Sequence, residues 1–193
     1  MTAYKRPDLL FSDLERLKSI AQQWPFQIVL SGKAHPKDYS GKQLIQTLHQ
    51  HIRQLGEVVP MAYIPDYDMD IALAMVSGVD VWVNTPLRPL EASGTSGMKA
   101  CFNGVPSLSV LDGWWIEGCI EGITGWAIGD SKESANGDDA KALYDKLEQT
   151  VLPLYYQDRP GWVRVMKGAI TKNASFFNSH RMMRRYATEA YLR

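Results

Sequence analysis

Glu91, Ser93, Thr95, Ser96 and Lys99 place a carboxylate, three small hydroxyls and an amine within nine residues, interleaved with Gly94 and Gly97. Small residues leave backbone N–H groups open to a ligand, and a helix starting at such a turn adds a dipole that favours negative charge. Thr95 and Lys99 are four apart in sequence, so on a helix they share a face. An anion held near Thr95 therefore leaves the Lys99 amine roughly one turn, about 5 Å, further along that face. The arrangement suits a small molecule with a phosphate at one end and an amine-reactive carbon at the other. Two plainer readings stand beside it: a helix-capping turn built from Ser and Thr, and a solvated lysine in an early helical turn.

The elements that must position these residues are legible on either side. Val79-Asp80-Val81-Trp82-Val83-Asn84 reads as a buried strand leading into the turn, and Met98-Lys99-Ala100-Cys101-Phe102 as a helix leaving it. Leu9, Leu10, Leu14, Leu17 and Ile20 fall on one side of an earlier helix, with Pro7 in its first turn. Further strands are expected over 27–30, 58–64, 106–111 and 125–129, helices over 41–55 and from an Asp66-Tyr67-Asp68 cap to Ser77, and a loop over 131–139. From Asp139 onward the pattern is helical, with breaks expected at Pro153 and at Arg159-Pro160-Gly161. Strands alternating with helices predict one α/β domain over 1–193: a doubly wound, mostly parallel, Rossmann-like sheet that binds ligands at the carboxyl ends of its strands. Such folds open on a central strand, whereas this chain opens on a helix. The sheet is therefore expected to lack its first strand and to show a gap between the strands at 27–30 and 79–84.

Composition narrows the class. A chain of 193 residues, 45% hydrophobic and 22% charged, can bury a real core. Its 21 basic and 21 acidic residues balance, which argues against nucleic-acid or membrane attraction. Cys101 and Cys119 lack a metal or redox spacing, and His35, His49, His51 and His180 form no ligand set, so no metal is expected. No apolar run reaches the ~20 residues that span a bilayer, and no signal peptide is visible. A cytoplasmic protein with reduced thiols is the expectation.

Several short motifs together carry a family resemblance. Tyr4-Lys5-Arg6, Ser31-Gly32-Lys33-Ala34, Asp66-Tyr67, Glu91 through Lys99, Asn103-Gly104 and Leu111-Asp112-Gly113 come in the order and approximate spacing of the α-glucan phosphorylases. The Glu91–Lys99 stretch resembles that family's pyridoxal-phosphate attachment segment, and Leu111-Asp112-Gly113-Trp114-Trp115 looks like its shorter, mostly prokaryotic branch. The resemblance implies the C-terminal half of a GT-B glycosyltransferase fold, belonging to a longer enzyme that phosphorolyses α-1,4-glucan with retention and releases glucose 1-phosphate.

The same resemblance implies roles. Lys99 matches the lysine that attaches pyridoxal 5'-phosphate, and Gly94, Thr95 and Ser96 match groups that hold phosphate. Tyr67 is similar to an aromatic residue beside the cofactor ring. Lys5 looks like the lysine that approaches the substrate and cofactor phosphates, so Lys5 and Lys99 are the candidate catalytic residues. Glu91, Ser93 and Gly94 match positions that bond the transferred glucose. The implied partners are α-1,4-glucan, inorganic phosphate and an N-terminal domain outside these residues. Apart from the resemblance, the gap in the sheet is expected to be filled by rearrangement or by a partner chain, as in a homo-oligomer, or left as a weakened edge. The family's basic pair just before Tyr4-Lys5-Arg6 is replaced here by Met1-Thr2-Ala3.

Other readings remain open at this point. Glu91 could be a buried carboxylate paired with Arg88, Tyr67 a core residue, and Lys5 a solvent-facing lysine. Trp114 and Trp115 suit a sugar face or plain packing, and Arg181, Arg184 and Arg185 suit a solvated or interdomain helix face. A GT-B nucleotide-sugar transferase commonly has a second glutamate eight residues after the first, where this chain has Lys99. A non-catalytic fragment is the third reading, and the isolated chain is expected to be inactive.

Overall fold

The computed structural model describes residues 1–129 and 138–192, over which strands and helices alternate. After short 3-10 turns at Ala3–Lys5 and Leu9–Phe11 come α1 (Leu14–Gln23), β1 (Ile28–Ser31), α2 (Tyr39–Leu55), β2 (Met61–Ile64), α3 (Met69–Gly78), β3 (Trp82–Asn84), α4 (Thr95–Phe102), β4 (Ser107–Val110), α5 (Trp115–Gly118) and β5 (Gly125–Ile128). The C-terminal part holds α6 (Asp138–Lys146), α7 (Leu152–Gln157), α8 (Arg159–Gly168) and α9 (Ser179–Tyr186), with π-turns at Leu147–Val151, Ala169–Ala174 and Ala187–Tyr191.

Carboxylates set where the chain enters four of these helices. Asp13, Asp38, Asp68 and Asp158 each accept a 2.9 Å bond from the backbone N–H three residues on, at Arg16, Gly41, Ile71 and Gly161. The Asp13 cap moves the expected first helix: Leu9 and Leu10 lie on a separate 3-10 turn, and α1 starts only at Leu14. Pro153 does not break its helix as expected. The π-turn at Leu147–Val151 runs straight into α7, and Pro153 occupies the first positions of that helix, where its missing N–H costs little. The break at Arg159-Pro160-Gly161 is present, at Asp158. Most of the loop expected at 131–139 lies outside the described residues, and α6 already begins at Asp138.

The strands pair in parallel throughout, and they form two sheets rather than one. β1 pairs with β2, Ile28 opposite Met61. β4 lies between β3 and β5, with Ser107 opposite both Trp82 and Gly125. Among the described residues no pairing joins β1 to β3, so the expected gap is observed. One core nonetheless underlies both sheets: Ile28 of the first and Leu108, Val110, Trp126 and Ile128 of the second pack with Leu17 and Ile20 of α1, Leu48 and Leu55 of α2, and Trp162 and Val165 of α8. A smaller cluster of Val76, Ala100 and Val105 joins α3 to α4.

Residues 1–6 bridge the two sheets at their carboxyl ends. The Met1 ammonium donates to the Lys33 carbonyl just beyond β1. Beyond β3, the Leu87 N–H donates to the Tyr4 carbonyl at 2.7 Å, and the buried Thr85 hydroxyl contacts the carbonyls of Lys5 and Arg6 at 2.9 and 2.8 Å. Arg6 returns the contact, its guanidinium donating to the Thr85 and Pro86 carbonyls at 2.9 and 2.8 Å and to Asp139 at 2.6 Å. This bridge carries Lys5 toward the turn after β3.

Candidate active site

The turn from Glu91 to Lys99 lies at the carboxyl end of β3, where the alternating fold places ligands. Gly94 adopts a left-handed conformation, φ 86°, and serves as the residue before α4. Unlike α1, α2, α3 and α8, α4 has no side-chain cap among the described residues, and its first turn holds no acidic residue. Its opening N–H groups are therefore available to an anion, with the helix dipole behind them. Thr95 and Lys99 are exposed on this helix, Ser93 is exposed just before it, and Gly94 and Ser96 are half-buried.

A second loop locks the turn. Asp112 accepts the Glu91 N–H at 2.9 Å through one oxygen and the Gly113 N–H at 3.0 Å through the other. The Trp114 N–H donates to the Ser93 carbonyl at 2.8 Å. Gly113 sits at φ 54°, and a Cβ there would lie 2.6 Å from the Ser93 carbonyl oxygen. Only glycine allows the two loops to approach this closely.

Glu91 is buried, and its carboxylate pairs with Lys5 across 86 positions of sequence. That makes Lys5, rather than Arg88, its ion-pair partner, with Lys5 itself 31% exposed. The Glu91 carboxylate also flanks Gly94, since a Cβ on that glycine would meet Oε1 at 3.2 Å. Lys5, Glu91 and Gly94 are thus assembled into one cluster at the mouth of the turn. Tyr67 stands between β2 and α3, 37% exposed, and among the described residues no hydrogen bond, ion pair or ring contact joins it to that cluster.

Trp114 and Trp115 are 4% and 1% exposed, so neither offers a face to a sugar, and both pack instead. Trp114 lies under the turn, and Trp115 bonds the Trp126 carbonyl at 3.3 Å. The roles of Asp112, Thr85 and Arg6 escape sequence reading. The Asp112-Gly113 pair signals a turn, but not that its carboxylate holds Glu91. Burial pushes the thiols of Cys101 and Cys119 up to about 12, which leaves neither as a nucleophile. Among the described residues no group of His, Cys, Asp and Glu could hold a metal, and no helix is long and apolar enough to cross a membrane.

Comparison with known proteins agrees with this geometry. The glycogen phosphorylase of Aquifex aeolicus is 49% identical over 200 residues, covering 99% of this chain and 29% of that protein. The maltodextrin phosphorylase of Thermococcus litoralis is 47% identical over 196 residues, covering 97% of this chain and 23% of that protein. The chain therefore spans about a quarter of the length of these relatives. Among solved structures, Anabaena HepE in complex with UDP and glucose superposes with a TM-score of 0.72 over 97% of this chain and 45% of that one. At 17% identity the likeness shows the fold alone, that of a Rossmann-like half of a GT-B enzyme. The carbohydrate phosphorylase profile matches residues 4–124, and with those relatives nearly half identical along almost its whole length, the chain belongs to the carbohydrate phosphorylase family.

Proposed function

We propose that this domain is the cofactor-holding part of an α-glucan phosphorylase, which cleaves α-1,4-glucan with inorganic phosphate and releases glucose 1-phosphate with retained configuration. The observation that carries this reading is the start of α4, with no side-chain cap and no acidic residue in its first turn, Gly94 at positive φ before it and the exposed Lys99 one turn on from Thr95. Those residues fit pyridoxal 5'-phosphate. Gly94, Thr95 and Ser96 would hold its phosphate, Lys99 would attach its aldehyde carbon, and Tyr67 would lie beside its ring.

Bound there, the cofactor would supply a phosphate for proton transfer to the substrate phosphate, its ring taking no part as an electron sink. Lys5 neutralises the substrate phosphate, which requires it to exchange its bond to Glu91 for one to the anion. Glu91, Ser93 and Gly94 bond the hydroxyls of the transferred glucose, the buried carboxylate accepting strongly in its low-dielectric setting. A dry, positively charged pocket stabilises the adjacent phosphates, and the negative charge of the substrate phosphate stabilises the developing oxocarbenium. The glucan and phosphate sites are completed by the N-terminal half of such an enzyme, in the cytoplasm, so the 193-residue chain alone is inactive. A nucleotide-sugar transferase has Lys99 against it, and nothing in the site favours that reading.

The test is chemical labelling. Incubation with pyridoxal 5'-phosphate, borohydride reduction and peptide mass spectrometry should place the label on Lys99, with near-ultraviolet absorbance lost in Lys99→Ala. Label elsewhere, or none, rejects the cofactor assignment. Glucose 1-phosphate formation by the purified chain alone rejects its inactivity.

A further inference from the structure

The indole of Trp114 touches both ends of the turn that opens α4. A Cβ on Gly94 would lie 3.1 Å from Trp114 Cδ1, and one on Gly97 would lie 2.8 Å from Cζ2 and 3.0 Å from Nε1. The opposite edge of the ring is held as firmly. A Cβ on Gly118 would lie 2.7 Å from Cζ3, Phe177 meets the ring edge-on with centroids 5.2 Å apart, and Trp115 lies tilted at 5.0 Å. Three glycines and two aromatic rings leave the indole one position. Close-packed interiors transmit such constraints, because a displaced ring has nowhere else to go.

Polar bonds hold the turn before Gly94, but among the described residues no side chain caps α4 and so none fixes the N–H groups that follow it. Gly94 and Gly97 bracket Thr95 and Ser96, so a ring pressed against both glycines sets the direction of the N–H groups between them. We propose that Trp114 is a positioning residue for the phosphate-holding turn: it aims the first N–H groups of α4 at the anion without touching the ligand. This rests on the reading of that turn as the cofactor's phosphate site.

The test compares pyridoxal 5'-phosphate with pyridoxal, which has the same aldehyde and no phosphate, each titrated against the 193-residue chain by absorbance and by borohydride trapping. Trp114→Ala should weaken pyridoxal 5'-phosphate about tenfold or more, the worth of one charge-assisted hydrogen bond, with pyridoxal changed less than about twofold. Trp114→Phe, which keeps a ring under the turn, should recover most of the loss. Gly97→Ala, which drives a methyl into the same ring with Trp114 intact, should show the same phosphate-selective loss and covers the case in which Trp114→Ala does not fold. Trp162→Phe, at an equally buried ring in the main core away from Trp114, should not. Unchanged phosphate binding in both Trp114→Ala and Gly97→Ala, or equal loss of both ligands, overturns the proposal. Failure of the unaltered chain to distinguish the two ligands instead rejects the phosphate site on which it rests.

Discussion

Lys5 and Glu91 form an ion pair between the segment that bridges the two sheets and the turn that opens the site, with the carboxylate 5% exposed and the lysine 31%. Removing the lysine leaves a buried carboxylate without its counter-charge, while the lysine's own exposure screens part of the attraction. Lys5→Met should therefore cost about 1–2 kcal/mol of stability, and Glu91→Gln less than that. A double-mutant cycle by urea denaturation should return a coupling of about 1 kcal/mol. A coupling near zero would show that the pair does not hold the bridge to the turn.

Glycine positions separate by what surrounds them. A Cβ at Gly168 would meet the Ile123 carbonyl oxygen at 1.9 Å, and one at Gly113 would meet the Ser93 carbonyl oxygen at 2.6 Å, whereas one at Gly78 would meet nothing within 4 Å. Gly168→Ala and Gly113→Ala should each destabilise by about 2 kcal/mol or more, since backbone must move. Gly78→Ala, at the last position of α3, should stabilise by a few tenths to about 1 kcal/mol. Thermal melts that rank the three differently would contradict this packing.

The two thiols should be inert. Burial raises Cys101 and Cys119 from an ordinary 9.0 to about 12. At pH 8 their thiolate fraction is then lower by roughly a thousandfold, and alkylation by iodoacetamide should need unfolding first. The linkage has a fixed sign. A raised folded-state value gives stability that is present below 9.0 and is lost as pH climbs from there toward about 12, because the unfolded chain can ionise its thiols and the folded one cannot. Fast labelling of native protein at pH 8 would contradict the burial of Cys101 and the raised value of the half-buried Cys119.

Val29 and Val83, on β1 and β3 either side of the break, are 37% and 39% exposed. Unpaired parallel edges invite association. We predict that the chain self-associates through these edges as its concentration rises, and that Val29→Lys combined with Val83→Lys abolishes this in analytical ultracentrifugation, leaving the core residues Leu108 and Trp126 and the cooperativity of unfolding untouched. Association that persists in the double variant would place any oligomer contact elsewhere, for instance on the exposed Met182, Met183 and Tyr186 of α9.

Local physics made much of this protein readable from its residues. The strand and helix periods, the Asp68 cap, the turn from Glu91 to Lys99 and even the sheet break follow from contacts between near neighbours or from the rules of doubly wound folds. The strands were less sharply bounded: 58–64 and 79–84 shrink to Met61–Ile64 and Trp82–Asn84, because apolar runs continue past the residues that actually pair. Pairing at a distance was beyond reach. Arg88 lies nearest to Glu91 among the sequence's cations, yet Lys5 holds it; Arg6 reaches Asp139 across 133 positions; and Trp114, at an ordinary helix start, ends beneath Gly94 and Gly97. Residue types say what a side chain can bond. Only the packed chain decides which partner stands within reach, because that is a property of how the elements are stacked and not of any one of them.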